Sequence, residues 1–424
     1  MPQRCGILDI QFTNTVQKAS PLGLKKSFGY GDRLGIATPG HLDANRKHDF
    51  APIFAQQSIR EMTRTNRTAV EVMHAAQAAL EYEKYDGVWG ADADHLKTPE
   101  DVQVTAAAGF TFFTIDPSSY VNNEADTMDA AKLQTLAAQL EREEIFRRSE
   151  YLGKKFDLGE TSLEFTEETL LRAAVKYGRA IAHSANMAAE IKSRDPQAEI
   201  EISVDETEHA TTPLEHFFFG AELKRRGVQV VSLAPRFVGD FEKGIDYRGD
   251  LKEFEKQLKV HVAIAKHCGP YKISIHSGSD KFSAYPIIGR VCGDLLHVKT
   301  AGTSYLEALR AVLRSDKELF REIVAFSHSR FTKDRASYHI STTDDEVLDL
   351  ERSPIHEAER LYLNERAGRQ LLHVTFGSVL TIGRRPDGTL FHSAIMETLE
   401  TNADLHRELV AVHFEKHLSL LNAG

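Results

Sequence analysis

A (β/α)8 barrel of the TIM-like kind is the fold this sequence predicts, with a helical insertion after strand 4 and a C-terminal helical extension. Three observations predict it. Eight short apolar or β-branched runs recur along the chain, each ending in polar residues, which is how buried strands bounded by loops read. Most are followed by a helix that opens on a capping residue, and two of these helices stop at a glycine. No G-x-G-x-x-G follows the first run, which weakens the alternative of an open, dinucleotide-binding sheet. Strand, polar loop and capped helix in repetition build a parallel sheet covered by helices.

The elements follow in order. The first candidate strand is Leu34–Thr38, leading into Pro39, Gly40 and His41. Pro52–Ala55 ends in Gln56 and Gln57, Gly87–Ala91 in Asp92, Asp94 and His95, and Phe110–Ile115 in Asp116. Ala198–Val204 ends in Asp205 and Glu206, and Val228–Leu233 in Pro235 and Arg236. Tyr271–Ile275 ends in His276 and Ser277, and Leu295–Val298 in Lys299 and Thr300. Between them, Thr98 and Pro99 open a helix that Gly109 stops, and Thr212 with Glu215 forms a capping box whose helix ends at Gly227. Thr68 with Glu71, Asp250 with Glu253, and Ser304 with Glu307 repeat the pairing. Leu251, Phe254, Leu258, Val262 and Ala265 make one apolar stripe at helical spacing. The stretch from Asp116 to Ala198 is too long for a simple crossover and reads as two helices, about Glu124–Ser149 and about Glu167–Ser193. Residues 303–370 read as mostly helical, Leu371–Leu380 as ambiguous and the remainder as helical. The expected organisation is therefore one elaborated barrel domain over 1–424, with 303–424 as its helical extension.

Composition bounds the function. With 424 residues, 42% hydrophobic and 27% charged, the chain has the balance of a soluble globular protein. A net charge of −10 argues against nucleic acid or an anionic membrane as partner. Cys5, Cys268 and Cys292 are odd in number and widely spaced, so they read as reduced thiols of a cytoplasmic protein. No run approaches the roughly 18 apolar residues of a membrane span, and Met1–Ser20 is too polar for a signal peptide.

In a parallel barrel the C-terminal strand ends share one face, and chemistry is placed there. Three histidines fall on it: His95, His276 and His297. Imidazoles converging with open positions left over make a catalytic metal site; the plain alternative is a set of hydrogen-bonded loop residues. Asp94 stands next to His95, where an adjacent cation keeps a carboxylate ionised as a base. Asp205 and Glu206 supply an acid from another strand, with helix capping or support of a ligand as the alternative use. Lys97, Arg236, Lys281 and Lys299 are the candidate cations for a carboxylate or a polyol.

Several strings are specific. SFGYGDRLGIATPGH (27–41), PIFAQQSIRE (52–61), GADADHLKTPED (90–101), ISVDETE (202–208), RFVGDFEKGIDYRGDL (236–251), YKISIHSGSDKFS (271–283) and HVKTAGTSYLEA (297–308) resemble the tagaturonate/fructuronate epimerase family of hexuronate catabolism. The resemblance implies metal ligands at His95, His276 and His297, a proton acceptor at Asp94 and a donor in the VDETE string. There Glu206 is preferred to Asp205 or Glu208. It further implies an isomerase with one divalent cation, Zn, Mn, Co and Ni being equally compatible with imidazole ligands. The two hexuronates differ at a carbinol carbon β to both ketone and carboxylate, so retro-aldol cleavage and recondensation is the expected route. A ketohexose 4-epimerase or an aldose–ketose isomerase on the same scaffold is the nearest alternative, and a sugar-binding protein the non-enzymatic one. The expected partner is a small hexuronate or ketohexose. The C-terminal helices have three roles open to them: capping the barrel, reaching the active site, or forming a homo-oligomer interface.

Overall fold

The computed structural model describes residues 18–348, 350 and 355–424; Cys5 and the stretch 1–17 lie outside them. Eight parallel strands close a barrel in the order β1-β10-β9-β8-β7-β4-β3-β2. They are β1 (Ser27–Gly31), β2 (Ala51–Ser58), β3 (Gly90–Leu96), β4 (Phe112–Ile115), β7 (Glu199–Ser203), β8 (Ser232–Ala234), β9 (Lys272–Ile275) and β10 (Leu296–Lys299). The predicted barrel is the observed one.

Seven of the eight predicted strands overlap barrel strands; the first does not. Leu34–Thr38 is loop and helix start, and β1 lies upstream at Ser27–Gly31. Two glycines hide that strand, because glycine packs no side chain and weakens any strand pattern. Gly31 is needed for contact: a Cβ there would lie 2.5 Å from the Thr300 carbonyl oxygen. The apolar Leu34 and Ile36 serve a different purpose and pack into the core of the C-terminal helices. In β3 the strand runs through Asp92 and Asp94 instead of ending before them, since cations inside the barrel pair with these acids.

The capping signals at Thr68, Thr98 and Thr212 are all realised, each side chain accepting the N3 backbone N–H. Ser304 is a correction. It sits inside the helix Thr303–Ser315, buried, donating to the Gly31 carbonyl at 2.7 Å. The insertion after β4 holds the helices Ala130–Arg142 and Glu167–Arg194, and between them an antiparallel hairpin, β5 (Lys155–Asp157) with β6 (Ser162–Glu164). Three-residue strands carry too little periodicity to be read from sequence.

Two large apolar cores result, with a small third cluster of Leu22, Ile53 and Phe112. One joins the barrel, its surrounding helices and the last helix, Ala403–Asn422, through Val410, Phe414, Leu418 and Leu421. Phe414 lies edge-on to Phe28 with ring centroids 6.0 Å apart. The second is built by the helices between Thr303 and Thr401, with Leu309, Leu313, Leu371 and Ile395 buried at its centre. Cys268 and Cys292 are buried free thiols. Among the described residues no helix is long and apolar enough to cross a membrane.

Candidate active site

The site is built on an acidic barrel floor. Asp92 and Asp94 alternate with Ala91 and Ala93 along β3, which turns both acids inward. Lys299, at the end of β10, reaches them across the barrel. Its Nζ lies 2.6 Å from Asp92 Oδ2, 2.9 Å from Asp94 Oδ1 and 2.8 Å from Glu201 Oε1 of β7. Burial alone would lower the pKa of this lysine, but the three carboxylates raise it above the ordinary value. Burial pushes Asp92 up to about 7, with Lys299 opposing and its acidic neighbours adding. Asp94 goes the other way: burial is overcome by His95 and Lys299, which hold its carboxyl well below the usual range.

Above this floor two imidazoles face each other, with ring centroids 5.1 Å apart. Strict alternation would send His95 outside. Its φ of 57° and the register shift in β3 turn the ring into the mouth instead, local strain of the kind that accumulates at functional sites. His95 Nδ1 lies 2.8 Å from Asp94 Oδ1 and its Nε2 lies 3.6 Å from Asp205 Oδ1. His276 Nε2 lies 2.6 Å from Glu201 Oε1 and its Nδ1 lies 3.5 Å from the same Asp205 oxygen. Burial lowers both histidines, yet the surrounding acids prevail, leaving His95 well above its ordinary value and His276 at about 9. Asp94, His95 and His276 form a group whose ligand atoms lie within 4.8 Å of one another.

The other predicted residues divide. His297 lies outside that group. Two residues below Lys299 on β10, its Nδ1 is 2.9 Å from Ser27 Oγ and its ring lies against Phe112; its buried Nε2 has no hydrogen-bond partner. Glu206 is partly exposed, 4.0 Å from His95 Nε2 and 3.4 Å from Arg60. Arg236 lines the cleft, though its guanidinium donates to the Thr207 carbonyl.

Lys97 turns away to Asp116, 3.2 Å distant, and lines neither site cavity. Lys281 is wholly buried and gives its ammonium protons to the carbonyls of Glu242, Ile245 and Ser279. Lys299 borders the inner cavity, but its charge is taken by the floor carboxylates. As free cations for a substrate these three are therefore corrected: strand-end position does not decide which way a long side chain points.

Two spaces with shared walls open over the imidazoles. A small inner cavity of about 30 Å³ is bordered by Gln56, Asp94, His95, His276, Lys299 and His373. An outer cleft of about 250 Å³ is bordered by Arg60, Asp205, Glu206, Arg236, His276 and Tyr338. Lys243 and Ser277 line both. His373 and Tyr338 come from the C-terminal extension, which therefore reaches the site. Arg60 and Arg64 lie over the Tyr338 ring at 5.5 and 4.7 Å, and Arg64 also donates to Ser337.

Sequence reasoning missed Glu201, Lys243, Arg60, His373 and Tyr338. Glu201 carried a signal: acids alternating with isoleucines in Glu199–Ser203 are unusual on a buried strand. Arg60 and Lys243 lie within the quoted strings PIFAQQSIRE and RFVGDFEKGIDYRGDL, which mark the segments but not these side chains. His373 and Tyr338 sit in the C-terminal extension, whose approach to the barrel mouth leaves no local mark.

Inward acids, paired imidazoles and a polar cleft at the C-terminal strand ends define a (β/α)8-barrel enzyme that acts on a small polar substrate. Comparison with known proteins narrows the class. Residues 7–421 match the family model for tagaturonate epimerase, and the chain belongs to that family. The tagaturonate/fructuronate epimerase of Thermotoga maritima is 46% identical over 399 residues, which is 94% of this chain and 81% of the relative. Crystal structures of the fructuronate-tagaturonate epimerase UxaE from Cohnella laeviribosi, native and with one glycerol, each match with a TM-score of 0.91 at 38% identity. They cover 95% of this chain and 83% of theirs.

Proposed function

We propose that this protein interconverts D-tagaturonate and D-fructuronate as a divalent-metal-dependent epimerase of hexuronate catabolism. The observation that carries the reading is Asp205 Oδ1, set between His95 Nε2 at 3.6 Å and His276 Nδ1 at 3.5 Å. Ligand atoms about 3.4 Å apart are what one ion with bonds of roughly 2.1 Å requires. The donor chemistry fits as well. Three buried acids (Asp92, Asp94 and Glu201) surround one ammonium, Lys299, and half-buried Asp205 adds a fourth carboxylate beside the imidazoles, a negative charge that a divalent cation would offset. His95, His276 and Asp205 would hold the ion, with Asp94 beside them and His297 as the further open nitrogen on β10. When bound, such an ion supplies Lewis-acid polarisation of the substrate's ketone and neighbouring hydroxyl.

The chain's own residues supply the proton transfers. Asp94, held ionised from the floor, accepts the proton of the carbinol hydroxyl. The bond between that carbon and the ketone's α-carbon breaks, and its electron pair passes into an enediolate. The aldehyde half turns, the bond re-forms on its other face, and Glu206 from the cleft side returns a proton to the new alkoxide. The reverse reaction exchanges the two roles.

The test is turnover of D-tagaturonate to D-fructuronate by metal-free protein supplied in turn with Mn, Co, Ni or Zn. Restoration by at least one ion is expected, and no turnover with any of them would sink the reading. Incorporation of solvent deuterium at carbon during turnover would replace cleavage by direct deprotonation.

A further inference from the structure

The loop after β8 carries a cation that, among the described residues, has no carboxylate oxygen within ion-pair distance. Lys243 Nζ donates to Ser277 Oγ at 2.6 Å, and among the described residues it forms no ion pair. The other two cations of the cleft are committed, Arg60 to Glu206 at 3.4 Å and Arg236 to the Thr207 carbonyl. Lys243 also stands where the outer cleft and the inner cavity meet, beside His276. Burial, with Arg60 adding to it, lowers its pKa, although Asp205, Glu206 and Glu61 oppose the shift from a distance.

This placement is enforced. The Glu242 and Ile245 carbonyls accept from Lys281 at 2.8 and 2.6 Å, that of Gly244 from Arg369 at 2.6 Å, and that of Lys243 from Gln370 at 3.4 Å. The Glu242 side chain is fixed in turn by Gln370 at 2.7 Å and the Ser341 N–H at 2.8 Å. Every carbonyl from 242 to 245 is thus held, and Lys243 is aimed into the site by a frame that cannot retreat to solvent. A desolvated cation in a fixed frame is costly unless an anion completes it.

We infer that Lys243 is the counter-ion of the substrate carboxylate and sets the preference for hexuronates over neutral ketohexoses, with Lys281 as the positioning residue beneath it. The inference rests on the epimerase reading above. It also adds a role in the reaction. When the carbon–carbon bond breaks, the carboxylate stays on the aldehyde half, so an anchored carboxylate retains that half while its face turns.

Two measurements on the metal-replete wild type, Lys243→Met and Lys243→Arg test this. One is kcat/KM for D-tagaturonate against D-tagatose; the other is binding of D-glycerate against glycerol, a pair that differs by the carboxylate alone. In Lys243→Met both preferences for the acid should fall by about 30-fold or more, and Lys243→Arg should restore part of each. Preferences that stay unchanged, or substrates and probes that weaken equally, would overturn the inference. A wild type inert toward D-tagaturonate would defeat the epimerase reading alone, because the D-glycerate pair still decides the role of Lys243.

Discussion

Glu201 Oε1 lies 2.6 Å from Nε2 of His276 and fixes that imidazole from the floor of the barrel. When metal binding displaces its second proton, the ring keeps Nε2 as the donor and its lone pair on Nδ1, the nitrogen that faces Asp205. A carboxylate behind a ligating histidine sets its tautomer and raises its basicity. Glu201→Gln keeps the shape and removes the charge, and metal affinity should drop by roughly 10–100-fold. Metal titration of the purified variant measures it; wild-type affinity would show that His276 needs no support from the floor.

The two imidazoles of the mouth should matter more for metal than the deeper one. His95→Ala and His276→Ala are expected to lose bound metal and turnover together, whereas His297→Ala should retain most of its metal, because His297 packs against Phe112 outside the Asp94–His95–His276 group. Metal analysis beside kinetics on the three variants decides this. Equal loss in all three would bring His297 into the ligand set.

Glu206 is the accessible acid on the cleft side, and its carboxylate does not share the floor's hydrogen bonds. Glu206→Gln should lower kcat by about 10²–10⁴-fold, the range for loss of a general acid, with metal content unchanged. A kcat close to wild type would move the donor role to Asp205 or Glu208.

Acid should destabilise the fold through its buried neutral histidines. His261 packs against His216 with Nδ1 atoms 2.8 Å apart, and burial lowers His261 to about 4. Its folded pKa lies below the ordinary value of 6.5, so the unfolded chain binds more protons as pH falls. Stability is therefore full above about 6.5 and declines from there toward pH 4. Between pH 7 and pH 5 this one residue should account for about 2 kcal/mol. Urea unfolding at both pH values, wild type against His261→Gln, reads the difference. An unaltered pH dependence in the variant would assign the acid sensitivity elsewhere.

The barrel was legible because its signals are local: capping threonines, glycine stops and short β-branched runs each report on a few neighbouring residues. Where the local signal was absent or served another purpose, the reading failed. Ser27–Gly31 lacks strand-forming side chains at its glycines, and the apolar Leu34 and Ile36 belong to a core made by helices far downstream. His95, His276, Asp94 and Glu206 were found as strand-end residues, since a parallel barrel delivers every strand end to one mouth.

The amino-acid order by itself determined the barrel, its polar mouth and the family, since these follow from periodicity, capping and strings of adjacent residues. Tertiary structure alone decided which charges are free. Lys281 spends its ammonium on backbone carbonyls, Lys299 on three acids of the floor, and Lys97 on Asp116. Lys243, inside the RFVGDFEKGIDYRGDL string but not distinguished there from its neighbours, is the cation left facing the cleft. The reason is physical: an ion's partners are set by distances of a few ångströms across strands and loops remote in sequence, and no local pattern encodes them.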